Sequence, residues 1–193
     1  PIPLDPRLLN MPGFSQRQIL EHFNVLYKGY VNKVNEIRNK LLSADRSSAN
    51  ATYSEFRALK KGETFALDGV ILHELYFNNL GGMGSAPSGS LLHKIEYDFG
   101  SFNNWMQDFI ATGLAARGWA VLAYDPRDRG LHNFLQDAHD QGVIVNSKAI
   151  LVLDVYEHAY FIDYGTQKRD YITAFLQNVN WTVAEKRWER LFQ

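Results

Sequence analysis

The chain has 193 residues, 46% hydrophobic and 21% charged, the balance of a globular protein with one large domain or two small ones around a shared core. A formal net charge of -1 argues against a nucleic-acid partner, and the absence of cysteine excludes disulfides, thiolate zinc sites, iron–sulfur clusters and thiol nucleophiles. No apolar run approaches the roughly 18 residues of a membrane span and no signal peptide is visible, so no membrane partner and a cytoplasmic location are expected, with a leader removed ahead of Pro1 left open.

Residues 1–14 are proline-rich and read as extended. Ser15 with Gln18 has the spacing of a capping box. From there to about Leu42, apolar residues recur at helical intervals, among them Ile19, Phe23, Leu26, Tyr30, Val34, Ile37 and Leu41, which predicts one long amphipathic helix. A polar link over 43–50 leads to a second helical stretch over about 51–80, with a break allowed for at Lys61-Gly62. The segment from Gly81 to Gly89 is rich in glycine and contains Pro87, both of which oppose a helix, and it is the best candidate for a domain boundary. Ser101 opens a helix through about Arg117, and Trp119–Tyr124 then reads as a buried strand. Asp125–Gly130 is a turn, 131–136 a weaker strand, and Ala149–Asp154 a strong one. The tail is helical from about Arg169, its last piece capped by Thr182 with Glu185. Helices first, then short strands followed by helices, is an α+β arrangement in two parts.

The strongest local signal for chemistry is Asp154-Val-Tyr-Glu-His158. Asp154 ends an apolar strand and His158 follows four residues on, so a carboxylate and an imidazole could meet at one iron, manganese or zinc ion. The same pair is also what a helix-capping aspartate followed by a packed histidine would look like. His22 and His73 each lie on or near the apolar stripe of a predicted helix, where the residues alone favour core histidines bonded to backbone. Three histidines and one aspartate make a sensible site, but spacing alone does not bring them together.

A family resemblance resolves this. Asp154-Val-Tyr-Glu-His-Ala-Tyr-Phe resembles the signature of the iron/manganese superoxide dismutases, usually DVWEHAYY. Arg169-Asp-Tyr-Ile, Val179-Asn-Trp181, Glu21-His22 with Tyr30-Val-Asn32, Leu72-His73-Glu-Leu-Tyr-Phe-Asn78, Phe99-Gly-Ser-Phe102 and Gly118-Trp119 continue it, in order, from about residue 15 to 188. The resemblance implies an N-terminal helical hairpin over 1–84 and an α/β domain over 85–193, whose small antiparallel sheet of about three strands is flanked by helices. The metal site would lie between them. It further implies an oxidoreductase with antioxidant activity that converts superoxide to dioxygen and hydrogen peroxide at one iron or manganese ion per subunit. His22, His73, Asp154 and His158 would be the ligands, Tyr30 the tyrosine at the substrate entrance, and Tyr76 and Trp119 walls of the pocket. Glu157 would hydrogen-bond a ligand histidine of a partner subunit, which implies a homodimer.

Departures from the family pattern cluster around the pocket. The position that holds a glutamine in many iron enzymes is Gly69, and His139 is the expected donor to metal-bound solvent; the alternatives are Gln141 in a shifted alignment, or His139 as an ordinary loop histidine. The usual gateway histidine is Leu26 and the tyrosine that often pairs with it is Phe161; both polar members change together. Tyr156 and Val121 replace tryptophans. These changes leave two alternatives: a metal-binding homologue with weak or different redox activity, and a non-catalytic binding protein.

Overall fold

A computed structural model describes residues 1–82, 84–142 and 144–193; Met83, inside the segment read as the boundary, lies outside them. The first residues are not extended throughout. Asp5 accepts a hydrogen bond from the Arg7 N–H at 2.9 Å, and Pro6 starts a 3-10 helix, Pro6–Asn10, where its missing N–H is no loss. Ser15 caps α1 (Gln16–Glu21) by accepting from the Gln18 N–H at 3.0 Å. The rod continues through one π-helical turn, His22–Tyr27, into α2 (Lys28–Ser43). Such wide turns concentrate at functional sites, and this one opens on His22.

The second arm of the hairpin, α3 (Glu55–Asn78), starts at a Ser54 cap, four residues later than expected, and does not break at Gly62. A Cβ on Gly62 would stand 3.2 Å from Ile37, so the glycine lets α2 and α3 close over Val34, Ile37 and Ala66. At Gly82 the chain crosses the segment 178–180 so closely that a Cβ would meet the Val179 carbonyl at 1.8 Å, while its N–H donates to Asn178 O.

Helix α4 (Gly89–Phe99) went unread in the sequence because its N-terminal cap is remote. Glu185 accepts from Ser90 N at 2.9 Å, Ser90 Oγ at 2.8 Å and Leu91 N at 3.0 Å. The capping box expected of Thr182 and Glu185 is therefore absent. The last helix, α8 (Trp181–Glu189), starts after Asn180 without a side-chain cap. Glu185 lies in its second turn, beyond reach of its own N-terminus, and serves the orphan N–H groups of α4 instead.

Between them come α5 (Phe102–Ala115), β1 (Trp119–Asp125), β2 (Gly130–Gln136), β3 (Lys148–Asp154), α6 (Phe161–Tyr164) and α7 (Lys168–Gln177). The fold class is as expected: a helical hairpin, then a three-stranded antiparallel sheet, order β2-β1-β3, flanked by helices. The register sets Trp119 opposite Asp154, at the end of the sheet that faces the hairpin. One core runs from Trp105, Phe109 and Phe175 across the sheet to Phe23, Tyr76 and Phe77 at the hairpin base. A polar clasp fixes the joint. Asn79, just after α3, donates through Nδ2 to Val152 O at 2.7 Å and accepts from the Arg187 guanidinium, which also donates to Ile150 O and Leu75 O. No helix among the described residues is long and apolar enough to cross a membrane.

Candidate metal centre

Four side chains meet where the hairpin touches the sheet. His22 opens the π turn, His73 lies in the last turns of α3, Asp154 ends β3, and His158 sits in a 3-10 turn, Glu157–Ala159. Asp154 does not cap the 3-10 turn that follows it, which starts without a side-chain cap. Its Oδ1 accepts from the Tyr156 N–H at 2.9 Å and shapes the turn, while its Oδ2 faces the histidines. Nε2 of His22 and of His158 each lie 3.1 Å from Oδ2, and Nε2 of His73 lies 3.7 Å away. All four donor atoms fall within 4.8 Å of one another. With metal–ligand bonds of about 2.1 Å, donors at right angles lie about 3.0 Å apart and donors at 120° about 3.6 Å apart. The observed separations fit one ion.

His73 decides the chemistry of this cluster. Its Nδ1–H donates to Gly69 O at 2.6 Å, and burial, with the charge of His22 beside it, lowers its pKa to about 3. The ring is therefore neutral, with its lone pair on Nε2. That nitrogen is buried without a hydrogen-bond partner and points at a carboxylate oxygen. Two electron-pair donors facing each other in the buried interior call for a cation between them. Burial raises the Asp154 pKa, but the charge and hydrogen bonds of His158 and His22 outweigh it and hold the carboxyl well below its usual range. Burial lowers His22 against the pull of Asp154.

Comparison with known proteins agrees with the geometry. Residues 8–81 match the family model for the alpha-hairpin domain of iron/manganese superoxide dismutases, and residues 87–187 match the model for their C-terminal domain. A superoxide dismutase [Fe] of Aquifex aeolicus is 45% identical over 94% of this chain and 87% of its own length. A superoxide dismutase [Mn] of Haloarcula marismortui is 37% identical over 98% and 92%, and a superoxide dismutase [Fe] of Cupriavidus metallidurans 37% identical over 96% and 94%. The chain belongs to the iron/manganese superoxide dismutase family. Its cofactor is accordingly iron or manganese.

Around the four donors of this superoxide dismutase, the structure places the remaining expected residues unevenly. His139 is buried against the cluster, and Gln141 is exposed. Trp119 donates from Nε1 to Nδ1 of His139 at 3.0 Å. An indole can only donate, so Nδ1 carries the lone pair and the proton of the neutral ring sits on Nε2. Tyr30 stands edge-on to His139 at 4.7 Å and beside His73 at 5.4 Å between centroids. A Cβ on Gly69 would meet His139 at 3.1 Å and the Tyr30 ring at 3.2 Å, so the glycine makes room for both rings. Tyr76 lies against His22 and shares a 3.2 Å hydroxyl contact with Tyr171. Tyr156 stacks on His158, and Val121 is buried in β1. Leu26 is half-buried, and Glu157 and Phe161 are exposed.

Two neighbours escaped the sequence reading. Phe65 packs on His139 with 4.6 Å between centroids, and Tyr171 donates to the Asp154 carbonyl at 2.6 Å. Tyr171 lies inside a stretch that carried the resemblance, whereas Phe65 is an ordinary apolar position of a helix.

The buried neutral rings make a pH prediction for the metal-free protein. Burial lowers His73 to about 3 and His139 to about 4, against an ordinary 6.5. Below 6.5 the unfolded chain takes up protons that the folded chain refuses, so stability falls as pH drops from 6.5 toward 4. For two such sites the slope approaches about 2.7 kcal/mol per pH unit. Denaturant unfolding of the chelated protein at steps between about pH 7 and about pH 4.5 measures it; a flat profile contradicts the neutral assignment.

Proposed function

We propose that the chain disproportionates superoxide at one iron or manganese ion held by Nε2 of His22, His73 and His158 and by Oδ2 of Asp154. The activity and the metal class follow from the family; the residue assignments rest on the partnerless Nε2 of His73 facing Asp154 in a four-donor cluster. The bound ion would supply the one-electron exchange that takes one superoxide to dioxygen and the next, with two protons, to hydrogen peroxide. The protein's part is charge, protons and shape. Three neutral imidazoles and one carboxylate leave at least one positive charge on the ion uncompensated, which favours an anionic substrate. His139, with its proton on Nε2, is the group that would donate to solvent at the site, tuning it from the second layer of contacts. Tyr30, whose hydroxyl is held in the protonated form by burial and by the charge of Asp154, is the proton relay at the entrance. Gly69 leaves the room that both need.

The same reading takes residues 1–84 as the hairpin unit and 85–193 as the α/β unit, with the metal at their joint. It takes the protein as a homodimer in which Glu157 reaches a ligand histidine of the other subunit. Exposed Phe161 and Ile162, one turn further along the chain than His158, supply apolar surface for that face. A cytoplasmic location is part of this reading.

The test is superoxide consumption by protein loaded separately with iron and with manganese. If neither form outpaces the free ion at equal concentration, the proposal fails. Tyr30→Phe is expected to lower turnover about 10-fold or more with one metal per subunit retained. Elemental analysis run beside the kinetics checks this, and loss of the metal would remove Tyr30 from the relay.

A further inference from the structure

His158 is held differently from the other three donors. Its side chain is 25% exposed, whereas those of His22, His73 and Asp154 are at 0%. Its element is a three-residue turn, where His22 and His73 ride on long helices and Asp154 ends a strand of the sheet. Within the turn, the backbone bonds are local, from Ala159 N to Tyr156 O and from Tyr160 N to Glu157 O. Among the described residues, one side chain reaches that backbone from elsewhere in the fold. Gln18 donates from Nε2 to the His158 carbonyl at 2.6 Å, across 140 positions of sequence. A carbonyl can only accept, so the amide orientation is set by the bond itself.

Gln18 lies one helical turn before His22 and is only 1% exposed. Its own N–H is tied to the Ser15 hydroxyl at the start of α1. Its Oε1 is buried without a hydrogen-bond partner, an arrangement that lowers stability. A methionine would fill the same length without that penalty. What the glutamine adds is the N–H that joins the turn of one donor to the helix of another.

We infer that Gln18 is a positioning residue for the metal centre, fixing the His158 imidazole against His22 by clamping the carbonyl of the first to the helix of the second. The inference rests on the proposed ligand role of His158. Donors must be held to a fraction of an ångström, and a histidine on a three-residue turn has fewer backbone restraints than one inside a long helix.

The experiment compares wild type, Gln18→Met and His158→Ala in iron-loaded protein, with three measurements: the rate of iron release to a chelator, the electron paramagnetic resonance spectrum of the ferric form, and thermal unfolding of the metal-free chain. Gln18→Met is expected to release iron about 10-fold or more faster and to shift the ferric spectrum, while the metal-free chain unfolds at the wild-type temperature or above. Gln18→Asn, one methylene too short to reach the carbonyl, is expected to show the same release and spectral change and stands in if Gln18→Met does not fold. His158→Ala separates the two readings. If it loses iron while both Gln18 variants match wild type in release and spectrum, Gln18 has no positioning role. If His158→Ala keeps iron with an unchanged spectrum, His158 is not a ligand and the clamp has nothing to position.

Discussion

Asp154→Asn is expected to abolish metal retention and superoxide consumption together while the chain stays folded. The substitution is isosteric, and the asparagine oxygen can still accept from the Tyr156 N–H, so the turn that delivers His158 survives. What disappears is the negative charge at the one point shared by three imidazoles. In the metal-free protein the hydrogen bonds of His22 and His158 outweigh the burial of that charge, so its removal costs some stability. With an iron or manganese ion the loss is larger, because three neutral nitrogens do not offset the ion's charge. The loss of affinity should exceed the roughly 10–100-fold that follows loss of an outer hydrogen-bond partner, since here a donor itself is replaced. Added metal raises the unfolding temperature of wild type by binding the folded state alone, and should leave that of the variant unmoved. Calorimetry with and without metal, beside elemental analysis, reads both effects. A variant that holds one ion per chain would remove Asp154 from the ligand set.

Gly69→Gln is expected to displace His139 and Tyr30. The glycine is helical, so a side chain there gains up to about 1 kcal/mol in helix propensity. Against this stands the space its Cβ would need, already occupied by His139 at 3.1 Å and Tyr30 at 3.2 Å. His139 has little freedom to give way, pinned by the Trp119 indole at 3.0 Å and packed by Phe65 and Tyr156. Overpacking of this kind costs about 1–3 kcal/mol, so the clash outweighs the propensity gain. Activity should fall about 10–100-fold, the scale set by disturbing groups around a metal. Adding His139→Ala vacates the space, so the double variant should be more stable than the two single effects predict, by about 0.5–3 kcal/mol. Denaturant unfolding of the four proteins closes the cycle. Simple additivity would mean that residues 69 and 139 do not compete for one volume.

Much of the fold was legible because it rests on local patterns. Ser15 and Ser101 announced their helices through side chains that reach only three residues ahead, and apolar runs at 119–124 and 149–154 announced the two best strands. The elements that went astray depend on partners far along the chain. Helix α4 is capped by Glu185, nearly a hundred residues away, and that contact also undid the capping box expected in α8. Gly62 looked like a helix break because a glycine lacks propensity, and only the neighbouring Ile37 reveals why it stays inside. The candidate site divides in the same way. Asp154 and His158 share one short motif, and the resemblance supplied His22 and His73 as their companions.

By itself, the sequence determined the element types with local signatures, the residue kinds available for chemistry, and, through several collinear motifs, the family. It could not determine that four donors share one point, which nitrogen of His73 or His139 carries the proton, or why residue 69 has no side chain. Those depend on distances between segments up to 136 positions apart, set by packing the hairpin base and the Asn79–Arg187 clasp onto the sheet. A chain pattern records which groups exist; the directions of hydrogen bonds and the volume left between rings exist only after the helices and the sheet have closed on one another.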